Sequence, residues 1–263
     1  MAMAMAADTA TENIRKAAEK MKRRIVDIHN HMLFGVDDGA ESLEHSLEMA
    51  ELSAESGVTD IICTPHCYPG MFENYAGTGF ERNFEKLKRA VSDEGIPVKL
   101  HLGMEVFGCR RTYDDLENRR LYCLADSRYM LIEFDFNDDA DNVSHILDLL
   151  LDRSIVPIIA HPERYVFVAN RPALLFDWLD MGCLLQCNKD SISGKFGKMV
   201  HKIAMDMLSD RLFSFVGSDA HGAIDRNPYM KYVYKQVEEN FGSGYAQEIF
   251  YENPIKVVED LEI

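Results

Sequence analysis

Ile25-Val26-Asp27-Ile28-His29-Asn30-His31 begins as a run of β-formers and ends in His-x-His. Ile25, Val26 and Ile28 predict a short buried strand. In extended chain, residues i and i+2 share a face, so His29 and His31 project together from the strand end. Neutral imidazole is a ligand for zinc, iron and nickel. Asp37-Asp38-Gly39 follows at once and offers carboxylates. An isolated histidine pair is more often exposed or hydrogen-bonded than metal-bound. The question is therefore whether other strands end in the same way.

Beyond this stretch the chain alternates strand and helix. Ser42 is an N-cap candidate, Leu43, Leu47, Ala50 and Ala54 form a helical stripe, and Gly57 stops it. Strands are expected at 58–64, 98–106, 129–134, 155–160, 183–187 and 213–217. Helices are expected at about 81–94, 141–153, 171–181, 197–210, 229–240 and 244–251, with a charged helix or loop at 113–120. Residues 67–80 carry Pro69, Gly70, Gly77 and Gly79 among Tyr68, Phe72, Tyr75 and Phe80. They read as a loop, either a lid over a site or aromatics packed on the scaffold.

Seven β-α units imply parallel strands with right-handed crossovers. The fold class is α/β, a distorted (β/α)7 TIM-like barrel over residues 25–263 as one domain, with a doubly wound sheet as the alternative. Residues 1–24 form an N-terminal extension, either helical or a frayed tail.

The strand ends repeat the opening pattern. His29 and His31, His66, Glu105, Glu133, His161, and Asp219 with His221 close six of the seven strands. In a parallel barrel these ends share the face where active sites lie. One catalytic site needs about three protein ligands, so this set implies two or three ions. Nitrogen and oxygen donors without thiolate suit zinc, manganese or iron. Arg164 and Arg226 lie just beyond ligand segments. They are either surface ion pairs or bidentate phosphate contacts.

The other histidines invite plainer readings. His45, His145 and His201 sit in helical stretches and are expected at the surface, and His101 is expected to be a satisfied structural residue. Asp27 either orients a ligand or caps a strand, and Asp37 is expected to be a turn residue.

Composition narrows the function. A formal net charge of -16 over 263 residues argues against a nucleic-acid partner. No apolar run is long enough to span a membrane, and residues 1–24 lack the order of a secretory signal. The six cysteines form no Cys-x-x-Cys and read as reduced core fillers in a cytoplasmic protein. No Cys-x5-Arg segment occurs, which disfavours a thiol nucleophile.

Asp27-Ile28-His29-Asn30-His31, Thr64-Pro65-His66, Gly103-Met104-Glu105, His161-Pro162-Glu163-Arg164 and Ser218-Asp219-Ala220-His221 resemble the polymerase and histidinol phosphatase (PHP) superfamily. Val36-Asp37-Asp38-Gly39, Leu131-Ile132-Glu133-Phe134, Asp180-Met181-Gly182-Cys183 and Arg226-Asn227-Pro228-Tyr229-Met230 are similar to its bacterial tyrosine-protein phosphatases of capsule and exopolysaccharide operons. Glu133 stands where many superfamily members place histidine. Cys67-Tyr68-Pro69-Gly70 departs from the more basic segment of similar phosphatases.

The resemblance implies three divalent ions, manganese foremost and iron or zinc as alternatives. His29, His31, Glu105 and Asp219 would hold the first. Glu105 would bridge to a second shared with Glu133 and His161, and Asp38, His66 and His221 would hold the third. Arg164 and Arg226 match the arginines of phosphate binding and catalysis. The implied substrate is a phosphotyrosine protein, such as the tail of a bacterial tyrosine kinase, hydrolysed by hydroxide attack on phosphorus at the metals. The rival readings are a small-molecule phosphoesterase such as a histidinol-phosphate phosphatase, a nuclease that the net charge disfavours, and a non-catalytic metal-binding regulatory module.

Overall fold

The computed structural model describes residues 24–263, so the expected extension lies outside the described residues except for Arg24. The strands are β1 (Ile25–Asn30), β2 (Val58–Cys63), β3 (His66–Tyr68), β4 (Phe72–Glu73), β5 (Lys99–Leu102), β6 (Glu105–Phe107), β7 (Tyr129–Glu133), β8 (Val156–Ala160), β9 (Leu184–Asn188) and β10 (Phe215–Gly217). They form a parallel sheet of order β1-β2-β5 and a second sheet of order β10-β9-β8-β7-β6-β3-β4. All pairings are parallel except the β3–β4 hairpin.

The expected strand at 98–106 is divided, and the expected strand at 58–64 is followed by a separate strand, β3; local chemistry explains both breaks. Thr64-Pro65 separates β2 from β3, because proline has no N–H for the ladder. Gly103-Met104 separates β5 from β6. A side chain at Gly103 would lie 2.8 Å from Ile62 Cγ2 and 2.9 Å from Leu124 Cδ2, so only glycine fits. At these breaks the chain passes from one sheet to the other. Gly103 N donates to Cys63 O at 2.9 Å and Glu105 N to Pro65 O at 3.1 Å, which carries the pairing across. At the other end, His31 N donates to Ala220 O at 2.9 Å and Asp219 N to His29 O at 2.8 Å. These bonds tie the end of β1 to the segment after β10.

Side-chain alternation builds two apolar layers. Val26, Ile28, Ile62, Leu131, Ile158 and Phe215 share one buried cluster with Val257. Their neighbours Ile25, Ile61, Met130, Ile132, Ile159 and Val216 lie in a larger cluster that includes the helix residues Leu87, Leu147 and Trp178. Strands buried on both faces are expected of parallel sheets covered by helices. The helices flanking them include Leu43–Glu55, Phe80–Asp93, Ala140–Leu151, Leu174–Met181, Lys198–Ser209 and Lys231–Phe241.

Residues 67–80 are more ordered than a loop. Cys67 pairs with Glu73 and Tyr68 with Phe72 in the hairpin. Tyr75 and Phe80 are buried in the core, and Ala76 N donates to Arg120 O at 2.8 Å. Tyr75 and Phe80 therefore pack on the scaffold, whereas Phe72 is half-buried and stacks on His66. The strands β3 and β4 are too short for periodicity to reveal.

Candidate metal centre

The end of β1 carries a bulge. Its register against β2 runs from Asp27↔Ile61 to Asn30↔Cys63, one residue more on β1 than on its partner. A bulge of this kind re-aims side chains beside a site. His29 Nε2 and His31 Nε2 end 3.1 Å apart, both rings fully buried.

What holds those rings fixes their protonation. His29 Nδ1 lies 2.8 Å from Gln186 Oε1, and Gln186 turns its amide N–H to the Cys187 carbonyl. An amide oxygen only accepts, so Nδ1 donates, and in the neutral ring Nε2 presents a lone pair. His31 Nδ1 donates to Asp37 Oδ2 at 2.9 Å with the same result. Asp37 also accepts from Gly39 N at 3.0 Å and His66 N at 3.0 Å. It is thus more than the expected turn residue, since its side chain is buried and orients a histidine.

Glu105 stands at the centre. Its Oε1 is 3.1 Å from His29 Nε2 and 3.2 Å from His161 Nε2. Its Oε2 is 3.3 Å from His31 Nε2 and 2.9 Å from His66 Nδ1. Glu133 Oε1 is 3.0 Å from His66 Nδ1. Asp219 Oδ1 lies 3.5 Å from both His29 Nε2 and His31 Nε2. Asp38 Oδ1 lies 3.4 Å from His221 Nε2 and 3.5 Å from His66 Nε2. At 55% exposure, Asp38 marks the open side.

All nine expected ligand side chains therefore meet in one cluster. Four groupings have ligand atoms close enough for an ion: His31, Asp38, His66 and His221; His29, His31 and Asp219; His29, Glu105 and His161; and His66, Glu105 and Glu133. The first two follow the sets implied by the resemblance, with His31 shared. The third and fourth divide the implied Glu105-Glu133-His161 set between neighbouring histidines.

Physical chemistry asks for cations here. Lone pairs of His29 and His31 face each other and two carboxylates. Glu105 Oε2, His66 Nδ1, His161 Nδ1 and His221 Nε2 are buried, and none of them makes a contact with hydrogen-bond geometry. Such orphaned acceptors are costly unless an ion or proton sits among them. Burial pulls the His29 pKa down, but Glu105 and Asp219 reverse that and raise it to about 9. Burial opposes the His66 proton too, yet Glu105 and Glu133 push its pKa up to about 12. Protons are what the His29 and His66 rings hold where no metal is bound. The donor set fits divalent ions.

Both arginines converge on Asp219. Arg226 Nη2 lies 2.7 Å from Asp219 Oδ2, and Arg164 Nη1 lies 3.4 Å from the same atom. Asn188 Nδ2 donates to that oxygen at 2.5 Å. Arg226 Nε is buried and has no acceptor. Three residues of the centre hold left-handed backbone without being glycine: His161 at φ 36°, Asp219 at φ 48° and Arg226 at φ 46°.

Asp27 touches no histidine ring. It accepts from Ser218 N at 2.9 Å, Ser218 Oγ at 2.6 Å and Asn30 Nδ2 at 2.9 Å, which pins the segment before Asp219. His101 Nε2 is bonded to Asp60 Oδ1 at 3.2 Å, a structural role. His45, expected at the surface, is half-buried and accepts from Ala223 N at 3.2 Å. His201 is half-buried beside the Ser191 carbonyl, and His145 is exposed. Gln186 and Asn188 escaped the sequence reading because β9 ends without a histidine or carboxylate. Two polar residues at i and i+2 on an apolar strand were the available signal.

Gly39 packs against β1 so tightly that a Cβ there would lie 2.0 Å from His31 O and 2.7 Å from His31 Cβ. Gly39→Ala is expected to displace His31 and lower stability by about 1–3 kcal/mol, read as the denaturation midpoint.

Residues 25–259 match the capsular polysaccharide synthesis family, CpsB/CapC. The chain belongs to this family. Among its CpsB/CapC relatives is the tyrosine-protein phosphatase CpsB of Streptococcus pneumoniae, 32% identical over 241 residues, which cover 90% of this chain and 99% of the relative. The tyrosine-protein phosphatase YwqE of Bacillus subtilis is 32% identical over 219 residues, 83% of this chain and 86% of YwqE. A crystal structure from work on YwqE and S. pneumoniae CpsB, described as unique metal-dependent tyrosine phosphatases, superposes with a TM-score of 0.85 at 30% identity, over 91% of this chain and 96% of that one. The mixed α/β fold with parallel sheets is thus that of the CpsB/CapC proteins, and the family resemblance drawn from the sequence holds.

Proposed function

We propose that this chain is a metal-dependent protein-tyrosine phosphatase. The observation that carries the reading is the meeting of nine imidazole and carboxylate side chains with Arg164 and Arg226 at one face that is open at Asp38. The named activity of the relatives supports it. We read residues 25–263 as one domain and the two sheets as a single distorted (β/α)7 barrel. The backbone bonds from His31 to Ala220 and from Gly103 to Cys63 support closure.

His29, His31, Asp38, His66, Glu105, Glu133, His161, Asp219 and His221 would hold three divalent ions, manganese by preference. Bound there, such ions would supply Lewis acidity that lowers the pKa of water and offsets phosphoryl charge. The chain's own residues do the rest. Glu105 faces four histidines and keeps the ligand shells in register. Gln186 and Asp37 hold the His29 and His31 lone pairs toward the ions. Arg226 keeps Asp219 in place with Nη2, and its guanidinium, on a side chain 34% exposed, is the group offered to a phosphoryl oxygen. Arg164 supplies a second guanidinium. The leaving phenolate has a pKa of about 10 in free tyrosine and needs less help from an acid than an alkoxide.

A cysteine nucleophile is disfavoured. Burial pushes the thiol pKa up to about 12 at Cys67 and Cys183 and to about 11 at Cys123, opposite to what a reactive thiolate needs. All six cysteines are free, which suits a reducing cytoplasm. Among the described residues no helix is long and apolar enough to cross a membrane. The substrate we propose is a phosphotyrosine segment of a bacterial tyrosine kinase.

The test is a panel of phosphotyrosine peptide, histidinol phosphate and a nucleotide ester with manganese. Phosphotyrosine is expected to give the highest kcat/KM. A higher value for histidinol phosphate would replace this reading with the small-molecule one. Gln186→Leu is expected to weaken metal affinity about 10- to 100-fold, measured by calorimetric titration, because His29 loses the acceptor that orients it.

A further inference from the structure

Phe136 is 38% exposed although it lies beside a buried polar cluster. It follows Glu133 by three residues in the loop leaving β7. Its ring is edge-to-face with His161, 6.2 Å between centroids, and 5.9 Å from Tyr165. Arg164 Cζ lies 4.8 Å from the Phe136 centroid and 4.4 Å from that of Phe196. Phe136 O accepts from Val166 N at 2.8 Å, which ties the loop to the segment bearing His161 and Arg164. The ring is therefore held in place by packing on one side and open to water on the other.

A phosphoryl group held by Arg164 would bring its leaving group within reach of this ring, whose centroid lies 4.8 Å from the guanidinium carbon. Exposed phenyl surface gains when another apolar surface covers it, and offset or edge-on aromatic pairs add to that gain. Phe72 is a weaker candidate, since its ring is already stacked on His66 at 5.6 Å and 12°. We propose that Phe136 is a specificity-determining residue: it packs against the aryl group of the substrate, so that the site selects aryl over alkyl phosphate monoesters. This rests on the phosphatase reading above.

The full chain loaded with manganese provides the test. Phenyl phosphate and β-glycerophosphate serve as aryl and alkyl substrates, with phenylphosphonate and methylphosphonate as inhibitors. In Phe136→Ala the ratio of aryl to alkyl kcat/KM is expected to fall about tenfold, mainly through KM for the aryl ester. The phenylphosphonate inhibition constant is expected to rise by a similar factor relative to that of methylphosphonate. Phe136→Tyr is expected to restore both ratios. Equal losses on the two substrates would mean that Phe136 only supports Arg164, and would overturn the proposal. An unchanged ratio with normal turnover would overturn it while leaving the phosphatase reading intact. If the unaltered chain hydrolyses no monoester, both fall together.

Discussion

Asp219→Ala is expected to lower kcat/KM for a phosphotyrosine peptide by on the order of a thousandfold. Its two oxygens face different partners. Oδ1 lies 3.5 Å from His29 Nε2, His31 Nε2 and His221 Nδ1. Oδ2 is shared by Arg226, Arg164 and Asn188. Alanine would therefore remove a proposed ligand and free both guanidiniums at once. The Asp219 carboxyl is itself held well below its usual range, since His29 and Arg226 outweigh its burial. Loss of that charge should show as less metal per chain by elemental analysis as well as lower turnover. Asp219→Asn separates the two effects, because the amide keeps the size and one acceptor for the arginines. If Asp219→Ala retains full metal content and full turnover, the assignment of this residue fails.

Stripping the divalent ions is expected to abolish turnover, and manganese should restore it. The accompanying pH dependence has a definite sign. In the metal-free chain the His29 pKa stands at about 9, above an unfolded value of about 6.5. The extra affinity for a proton therefore stabilises the metal-free fold fully below pH 6.5. That contribution is lost as pH rises through 9. Metal binding needs the deprotonated imidazole and so runs the other way. Thermal midpoints of stripped and manganese-loaded protein should thus diverge between pH 6.5 and 9. A constant gap across that window would count against His29 as a ligand. Calorimetry in buffers of different ionisation enthalpy should also report proton release on loading.

How much of this was legible in the sequence depends on the reach of each signal. A parallel β/α chain brings strand ends to one face, so His29, His31, His66, Glu105, Glu133, His161, Asp219 and His221 could be gathered without coordinates. Asp38 came only through the resemblance. The supporting residues could not be gathered in the same way. Gln186 reaches His29 across 157 positions, and nothing local marks an amide as the partner of an imidazole. Asp37 looked like a turn because its short-range bond to Gly39 is one; its bond to His31 depends on how the loop folds back. Pro65 did announce the break between β2 and β3. Gly103 did not, since its constraint comes from Ile62 and Leu124. The sharing of His29, His31 and His66 between groupings is a matter of tenths of an ångström, below anything a motif records, whereas the bridging place of Glu105 was implied by the resemblance.

The left-handed backbone at His161, Asp219 and Arg226 has a consequence for how this protein can be improved. Each such residue costs on the order of 1 kcal/mol unless its surroundings impose it. Glycine would relieve the cost at each position and erase a side chain that the chemistry needs. Directed evolution for heat resistance alone should therefore collect glycine there and yield hardy but inert proteins. A selection that keeps hydrolysis in the screen should find its gains far from these residues, in the helices of the outer layer.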